Sequence, residues 1–351
     1  MQQEGSSRIP WTILGSAWLL AFAMYIPMFC VPPMEHILKA ELLLTHAQTS
    51  LLYSIPIMMI AAVAIPAGII ADRIGVRKAA GIGAIMIAVG SILRGTATNP
   101  SSLLAFTFIY GVGLGWSWPN LPKLVSAWVP REKAGVATGI YSSGMYIGTA
   151  LAVAITMPLV FPITNTFQGV FFIWGIPPIV AAILWWVLVK EPPRNRINSE
   201  LASRDNTPLR RVLRNKSLWL LSIFTLFHCF FYYNWIGWAP ALLMLKGATP
   251  ELAGLITSIT LWIGIPAVFL IPRLAYKLGL RKPFLWVPAI AMALAAWGAI
   301  HITLPMSWLP MVLVGIADCT ILITTLTLLV EMVPEEEVGT ATGLVLSLIH
   351  I

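Results

Sequence analysis

Long uninterrupted apolar runs restrict the fold of this chain more than any other feature of its sequence. The runs are about 20 residues long, which is the length that an α-helix needs to cross the hydrocarbon of a bilayer. Because they lack an alternation of apolar and polar residues, they predict helices rather than the strands of a barrel. Charged residues make up 10% of the chain, against about 25% in soluble domains, so the soluble globular class is excluded.

The runs predict ten complete membrane spans and the start of an eleventh near Val338. The first run is too long for a signal-peptide core and no small-residue cleavage signal follows it, so we expect it to be retained. In chain order the ten spans are Trp11–Met34, Gln48–Ala71, Ala79–Ala97, Ser102–Trp128, Gly135–Pro158, Gly169–Val189, Ser217–Leu245, Glu251–Ala275, Phe284–Thr303 and Ser307–Met332.

The basic residues lie mostly on one side of these spans. Of the 22 Lys and Arg, 18 belong to the N-terminal segment or the even-numbered connections, Lys123 lies near the same side in the fourth span, and only Lys39, Arg94 and Lys246 remain for the other face. Cytoplasmic loops of membrane proteins are enriched in Lys and Arg, so we expect a plasma-membrane protein with a cytoplasmic N-terminus. Loop topology and anionic lipid headgroups explain the net charge of +8 without a nucleic-acid partner.

An internal repeat divides the chain into two halves. Gly75–Lys78 recurs as Gly279–Lys282, and Pro130–Gly139 recurs as Pro334–Gly343, each 204 residues later. The longest polar stretch, Lys190–Lys216, lies between the two copies. We therefore expect two bundles of helices joined by a cytoplasmic linker, with the first bundle over 1–190, the linker over 191–216 and the second bundle over 217–351.

The repeat also predicts that the second bundle is incomplete. At the same offset the fifth and sixth spans should recur near 339–362 and 373–393, beyond the last residue, Ile351. The second bundle would then hold helices seven to ten and the start of the eleventh. The last six residues, Leu346–Ile351, have the sequence obtained by translating a common sequencing-library adapter. An ordinary apolar helix segment is the alternative interpretation.

The turn after the second span carries a recognisable motif, Gly68-Ile69-Ile70-Ala71-Asp72-Arg73-Ile74-Gly75-Val76-Arg77-Lys78. It resembles the major facilitator superfamily signature G-x-x-x-D-R-x-G-x-R-K, and its place in a six-plus-six topology extends the resemblance to the whole chain. The resemblance implies a secondary transporter whose two bundles rock around a site near the midplane. It also implies a cytoplasmic gating role for six residues, Gly68, Asp72, Arg73, Gly75, Arg77 and Lys78.

In that superfamily the Asp of the motif faces a helix N-terminus of the other half, where the helix dipole is positive. Carried over, Asp72 would latch the two bundles through the start of the eleventh helix, near Gly339. A pairing of Asp72 with Arg73 alone, as a topology marker, is the alternative. The second copy has Tyr276 and Lys277 at the Asp-Arg positions, so one latch is expected rather than two.

The residues Trp118–Val125 and Ala137–Met145 resemble the cyanate/nitroimidazole-transporter branch of the superfamily. Thr107 stands where many proton-coupled members carry Arg, and the fifth span has no Gly-Pro pair of the antiporter motif. These departures put drug–proton antiport of the familiar kind in doubt. Close approach of another helix is expected along one face of the fifth span, at Gly135, Gly139, Gly144 and Gly148.

Two ionisable residues lie at mid-depth in spans that line the cavity in this superfamily. His228 is about eleven residues into the seventh span and Asp318 about eleven into the tenth, which a rise of about 1.5 Å per residue places near the midplane. An ionisable group at that depth is costly and by default functional, and histidine ordinarily changes its charge near neutral pH. A substrate or proton site is one interpretation, and structural hydrogen bonding is the other.

Polar and aromatic residues at similar depths are further candidate ligands. Pro119 and Pro122 are expected to kink the fourth span and to free carbonyls toward a cavity. An interfacial belt is the alternative for the aromatic residues, snorkelling the alternative for Lys123, and an interface anchor the expected role of Arg94. The further candidates are Tyr232, Asn234, Trp118, Asn120, Lys123, Tyr141, Tyr146 and Thr324.

Energy for transport is expected from an ion or solute gradient, because the sequence contains no nucleotide-binding motif. No cofactor is expected, and no catalytic motif suggests an enzyme. Cys30, Cys229 and Cys319 lie inside spans without paired spacing and are interpreted as small apolar residues. The expected partners are the lipid bilayer and a small solute, with a small organic or inorganic anion as the favoured class, and the expected state is a monomer. A non-transporting membrane sensor with the same fold is the alternative.

Overall fold

The computed structural model describes residues 10–129, 131–191, 211, 213–279, 282–333 and 345. Within these residues the chain forms helices and no strand, and ten of the helices follow the predicted spans, numbered here in chain order. The first six are Trp11–Phe29, His46–Ile74, Val76–Arg94, Pro100–Ser117 with its continuation Asn120–Trp128, Arg131–Ile155 and Phe167–Leu188. The seventh to tenth are Lys216–Leu245, Pro250–Leu278, Pro283–His301 and Trp308–Glu331.

Short helical segments connect or extend several of these helices. A 3-10 turn, Pro32–Met34, and a short helix, Glu35–Leu42, follow the first helix. A π-helical turn, Thr156–Val160, and one turn of helix, Phe161–Thr164, extend the fifth, and a 3-10 turn, Leu304–Met306, precedes the tenth. The connections are therefore short and largely helical themselves.

The predicted class, an all-helical membrane protein, is confirmed. Nine helices of the described part are long and apolar enough to cross a membrane. The fourth span is not among them, and the structure divides it into two helices at Trp118 and Pro119. The predicted eleventh helix near Val338, the segment Leu346–Ile351 and most of the predicted linker lie outside the described residues.

The repeat is visible in the helix boundaries and in the backbone. The second helix, His46–Ile74, and the eighth helix, Pro250–Leu278, begin and end 204 residues apart. Gly75 and Gly279, which follow them at the same offset, both have positive φ, +96° and +63°. Only glycine adopts such angles without steric cost, which explains why this residue type stands at the turn in both copies.

The two ends of the bundle are defined by these connections. At one end, the backbone N–H of Arg77 lies 3.5 Å from the carboxylate of Glu191, which begins the connection between the halves. We call this the linker end, and the opposite end, where the first helix ends at Phe29, the far end. At the far end, capping boxes of Thr45 with Gln48 and of Asn99 with Ser102 start the second and fourth helices.

Glycines bring the fifth helix against its neighbours in both halves. A Cβ added at Gly144 would lie 2.5 Å from the carbonyl oxygen of Trp18, and one added at Gly148 would overlap the carbonyl oxygen of Phe22. The predicted close approach is thus confirmed at these two positions, with the first helix as the partner. It is wrong for Gly139, which has nothing within 4 Å of an added Cβ.

The two halves meet along the fifth and eighth helices. A Cβ added at Gly254 of the eighth helix would lie 2.5 Å from the carbonyl oxygen of Val153 in the fifth. At the far end, the turn Pro32–Met34 packs against the seventh and eighth helices. The first half therefore contributes its fifth helix and the turn after its first helix to this contact, and Tyr53 of its second helix packs against Gly237 of the seventh.

Replacing Gly148 with alanine should destabilise the protein, because the added methyl group meets the backbone of the first helix, which cannot rotate away. We expect a loss of about 1–3 kcal/mol, the usual cost of overpacking, measured as a lower melting temperature in detergent micelles. The matched control is Gly139→Ala, which should be neutral or stabilising by up to about 1 kcal/mol, as for glycine-to-alanine changes in open helix positions. Equal effects of the two substitutions would contradict the close contact.

Candidate functional site

His228 and Asp318 lie side by side in the middle of the second half. The imidazole Nε2 lies 2.9 Å from Asp318 Oδ1, and the two side chains are 4% and 7% exposed. His228 is about 18 Å along the seventh helix from its start, at a rise of about 1.5 Å per residue. The two ionisable residues that were predicted from their depth along the spans therefore form one buried pair, contributed by the seventh and tenth helices.

The His228–Asp318 pair is close in distance, but the hydrogen-bonding capacity of the imidazole is not fully used. Neither imidazole nitrogen makes a hydrogen bond of good geometry with any described residue, and Nδ1 has no polar partner among them. A buried polar atom without a partner costs about 1–3 kcal/mol, so such atoms are rare unless they have a use. The imidazole therefore retains hydrogen-bonding capacity toward a proton or a solute.

Tyrosines from both halves surround this pair. Tyr146 of the fifth helix hydrogen-bonds Cys319, the residue after Asp318, and interacts electrostatically with Asp318 itself. Tyr232, one turn along the seventh helix from His228, also interacts with Asp318. Because Tyr146 belongs to the first half, any change of charge on Asp318 acts on the contact between the two halves.

A second contact between the halves lies nearby. The hydroxyls of Tyr25 in the first helix and Tyr233 in the seventh share a hydrogen bond, and the ring of Tyr25 meets that of Trp118 edge-on, with centroids 5.7 Å apart. Trp118 stands at the break in the fourth helix, as the predicted kink at Pro119 suggested. The first, fourth and seventh helices therefore meet through aromatic side chains.

Two other candidates in the first half are buried in their own helices. Asn120 is fully buried, donates from Nδ2 to the carbonyl oxygen of Trp116 at 2.7 Å, and has an Oδ1 without a described partner. Tyr141 is 5% exposed and hydrogen-bonds Ser142 and Thr138 within the fifth helix. Asn120 keeps one acceptor for another group, while the hydroxyl of Tyr141 is engaged within its helix.

A groove of about 330 Å³ lies on a different face of the seventh helix. Its walls come from the turn and short helix that follow the first helix, from the second helix and from the seventh. Asn234 lines it, is exposed, and donates from Nδ2 to the carbonyl oxygen of Phe230 in its own helix. The hydroxyl of Tyr53, which also lines it, is buried without a described partner. Asn234 is thus separated from the pair at His228.

The motif residues Gly68 to Lys78 lie at the linker end of the second helix. Lys123 donates from Nζ to the carbonyl oxygen of Gly68 at 3.0 Å, which fixes it at that end rather than beside Asp318. Arg77 donates from Nη2 to the carbonyl oxygen of Trp186 at 2.7 Å, tying the third helix to the sixth. Arg73 and Lys78 are exposed. The side chain of Asp72, and the residues near Gly339 that would complete the predicted latch, lie outside the described part.

The burial of several other side chains did not follow from their depth along the spans. Thr324 is 3% exposed, on the same helix as Asp318. The prediction that Arg94 anchors the third helix at the membrane interface is wrong, because its side chain is fully buried inside the first half. Tyr25 and Tyr53 were missed, although the position of Tyr25 near the middle of the first span was a signal that could have selected it.

Comparison with known proteins gives a single family. The sequence model described as Major Facilitator Superfamily matches residues 17–351. An uncharacterized transporter, YycB, of Bacillus subtilis is 25% identical over 91% of this chain and 77% of its own length. The 2-nitroimidazole transporter of Escherichia coli is 26% identical over 72% of this chain, and the cyanate transport protein CynX of the same organism 22% over 68%. The predicted resemblance to this branch is confirmed.

The chain spans 62% of the length of the 2-nitroimidazole transporter and 60% of that of CynX. Among solved structures, a bacterial homolog of the human lysosomal transporter Spinster is similar, with a TM-score of 0.80. It is 21% identical in sequence, and the match covers 97% of this chain and 80% of that one. This likeness concerns the fold.

A double-mutant cycle tests whether His228 and Asp318 are energetically coupled. His228→Gln and Asp318→Asn should each lower the melting temperature, because each leaves the other polar group buried without the partner that lies beside it. The double variant should lose less than the sum of the two, with a coupling of about 0.5–3 kcal/mol as expected of contacting residues. Ser222→Ala, which removes a buried hydroxyl without a described partner from the same helix, is the control and should have little effect. Additive losses would show that the pair is not coupled.

Proposed function

The chain belongs to the major facilitator superfamily, and we propose that it carries a small solute across the membrane by alternating access, with the His228–Asp318 pair as its proton and solute site. The buried pair carries this proposal, because its side chains approach to 2.9 Å at mid-depth and ionisable groups there are functional by default. The relatives that the chain matches are named as transporters. We therefore assign the pair a role in secondary transport.

A proton can be coupled to movement through this pair. While Asp318 is ionised, it attracts a protonated imidazole and the two charges compensate each other. A proton on the carboxylate removes that attraction and frees the imidazole to bind a solute. Because Tyr146 and Tyr232 both interact electrostatically with Asp318, the same proton changes the electrostatics where the two halves meet. Protonation thus favours one arrangement of the halves over the other.

The charged side chains near Asp318 indicate which charge the solute should carry. Lys123 is held at the linker end by Gly68 and Arg94 is sealed inside the first half. Among the described side chains near Asp318, His228 is then the one that can carry a positive charge. A small organic or inorganic anion would therefore bind when His228 is protonated and Asp318 neutral. The aromatic rings of Tyr25, Trp118 and Tyr232 suit a small flat molecule such as 2-nitroimidazole, and cyanate is a small anion. Because relatives are named for these two solutes, both are appropriate first probes.

The topology that goes with this function is also a proposal. The bundles over 1–190 and 217–351 would rock against each other, with the N-terminus and the linker in the cytoplasm and the protein a monomer in the plasma membrane. The excess of basic residues at the linker end supports this orientation. Asp72 would close that end by facing the start of the eleventh helix, where its charge complements the helix dipole.

Uptake into proteoliposomes under an imposed pH gradient tests the coupling. Asp318→Asn should abolish the stimulation by the gradient, because an amide can neither bind nor release the proton. Thr257→Ala is the matched control, since Thr257 is a buried hydroxyl that bonds only within the described eighth helix, to the carbonyl oxygen of Ala253. Radiolabelled cyanate and 2-nitroimidazole serve as probes. Gradient-driven uptake that persists in Asp318→Asn would remove the assignment of Asp318.

A further inference from the structure

Arg94, at the far end of the third helix, is buried to 0% exposure inside the first half. Its guanidinium lies over the ring of Phe171 at 4.3 Å and near that of Tyr110 at 5.3 Å. Among the described residues it forms no ion pair, and Nε and Nη2 have no hydrogen-bond partner. A buried charge without a carboxylate is costly, so its position calls for a compensating interaction.

The broken end of the first helix supplies that interaction. Arg94 donates from Nη1 to the carbonyl oxygen of Pro27 at 2.6 Å, and the helix ends two residues later at Phe29. The last carbonyls of a helix lack partners within it and carry a partial negative charge. The guanidinium therefore caps the end of the helix, as basic side chains do elsewhere. A bound anion is disfavoured here, because the same negative helix end would repel it.

The same part of the first helix is held at a second point. The hydroxyl of Tyr110 in the fourth helix donates to the carbonyl oxygen of Met24 at 2.6 Å. Between the two anchored carbonyls stands Tyr25, whose hydroxyl bonds Tyr233 of the other half. Directly after the capped end, the turn Pro32–Met34 packs against the seventh and eighth helices. The surface that closes the far end is thus positioned by groups inside the first half.

We propose that Arg94 is a positioning residue for transport, which fixes the broken end of the first helix so that Tyr25 and the turn Pro32–Met34 close the far end against the second half. This inference rests on the proposed alternating access. It predicts that loss of the guanidinium shifts the protein away from the arrangement closed at the far end. A residue that only stabilised the first half would lower the melting temperature without this shift.

Distances between the two halves at the far end report the shift without any solute. Spin labels at Leu43 and Leu245, which are 85% and 87% exposed in the first and second halves, would be measured by pulsed electron paramagnetic resonance in nanodiscs. The three native cysteines are buried, and labelling of the protein without introduced cysteines sets the background. We expect the far-end-open population to rise severalfold in Arg94→Met and less in Arg94→Lys, which keeps the charge but not the planar fork.

Three further variants separate positioning from stability. Tyr110→Phe removes the second anchor and should shift the distances in the same direction, which keeps the test decisive if Arg94→Met does not fold. Ser91→Ala, on the same helix as Arg94, removes a buried hydroxyl that bonds to the carbonyl oxygen of Ile87 and should change nothing. Gly113→Ala crowds the backbone of the third helix, where an added Cβ lies 2.7 Å from the amide nitrogen of Ile87, and should lower the melting temperature with unchanged distances.

Two outcomes would overturn the proposal. One is a wild-type distance distribution in folded Arg94→Met or, if that variant does not fold, in Tyr110→Phe. The other is a shift in Gly113→Ala as large as that in Arg94→Met at the same loss of melting temperature. Because the distances need no solute, a failure of the proposed transport function appears separately, as wild-type protein that takes up no probe.

Discussion

In the hydrocarbon of a membrane no water is present to hydrogen-bond a backbone carbonyl or amide. Every such group therefore needs a partner within the protein, and the rest of the structure depends on this requirement. Continuous helices meet it by themselves, which is why the apolar runs are helical throughout. Where a helix ends inside the bundle, as the first helix does at Phe29, side chains from neighbouring helices bond to its carbonyls. Arg94 and Tyr110 do so for the first helix.

The helix pattern could be predicted because it depends on information that is local in the sequence. The second span was expected at Gln48–Ala71 and is found at His46–Ile74, extended to the capping box of Thr45 and Gln48. The division of the fourth span was less accessible. Proline predicts a kink, but whether a helix bends or separates depends on what packs beside it, here the ring of Tyr25 against Trp118.

The candidate site could be predicted only in part, because the sequence gives the depth of a residue along its helix but not how the helices pack. Depth along a helix follows from counting residues, and it selected both His228 and Asp318. That they touch depends on how the seventh and tenth helices pack, and no local pattern encodes this. Depth also misled for Arg94, because a position near the end of a helix does not reveal whether the side chain turns toward lipid headgroups or inward. Tyr53 was missed, since the significance of its hydroxyl comes from its burial without a partner.

The offset of 204 residues has a consequence for the two halves of the chain. It equates His228 with Met24 and Asp318 with Leu114, both apolar and fully buried, whereas Asp72 of the gating motif is equated with Tyr276. The two copies of the repeat therefore differ at the positions that carry ionisable residues. The ionisable pair at mid-depth stands in the second copy, and the acidic residue of the motif at the linker end stands in the first. Replacing either half by a duplicate of the other would remove one of these acidic residues, so the repeated fold carries residues that are not themselves repeated.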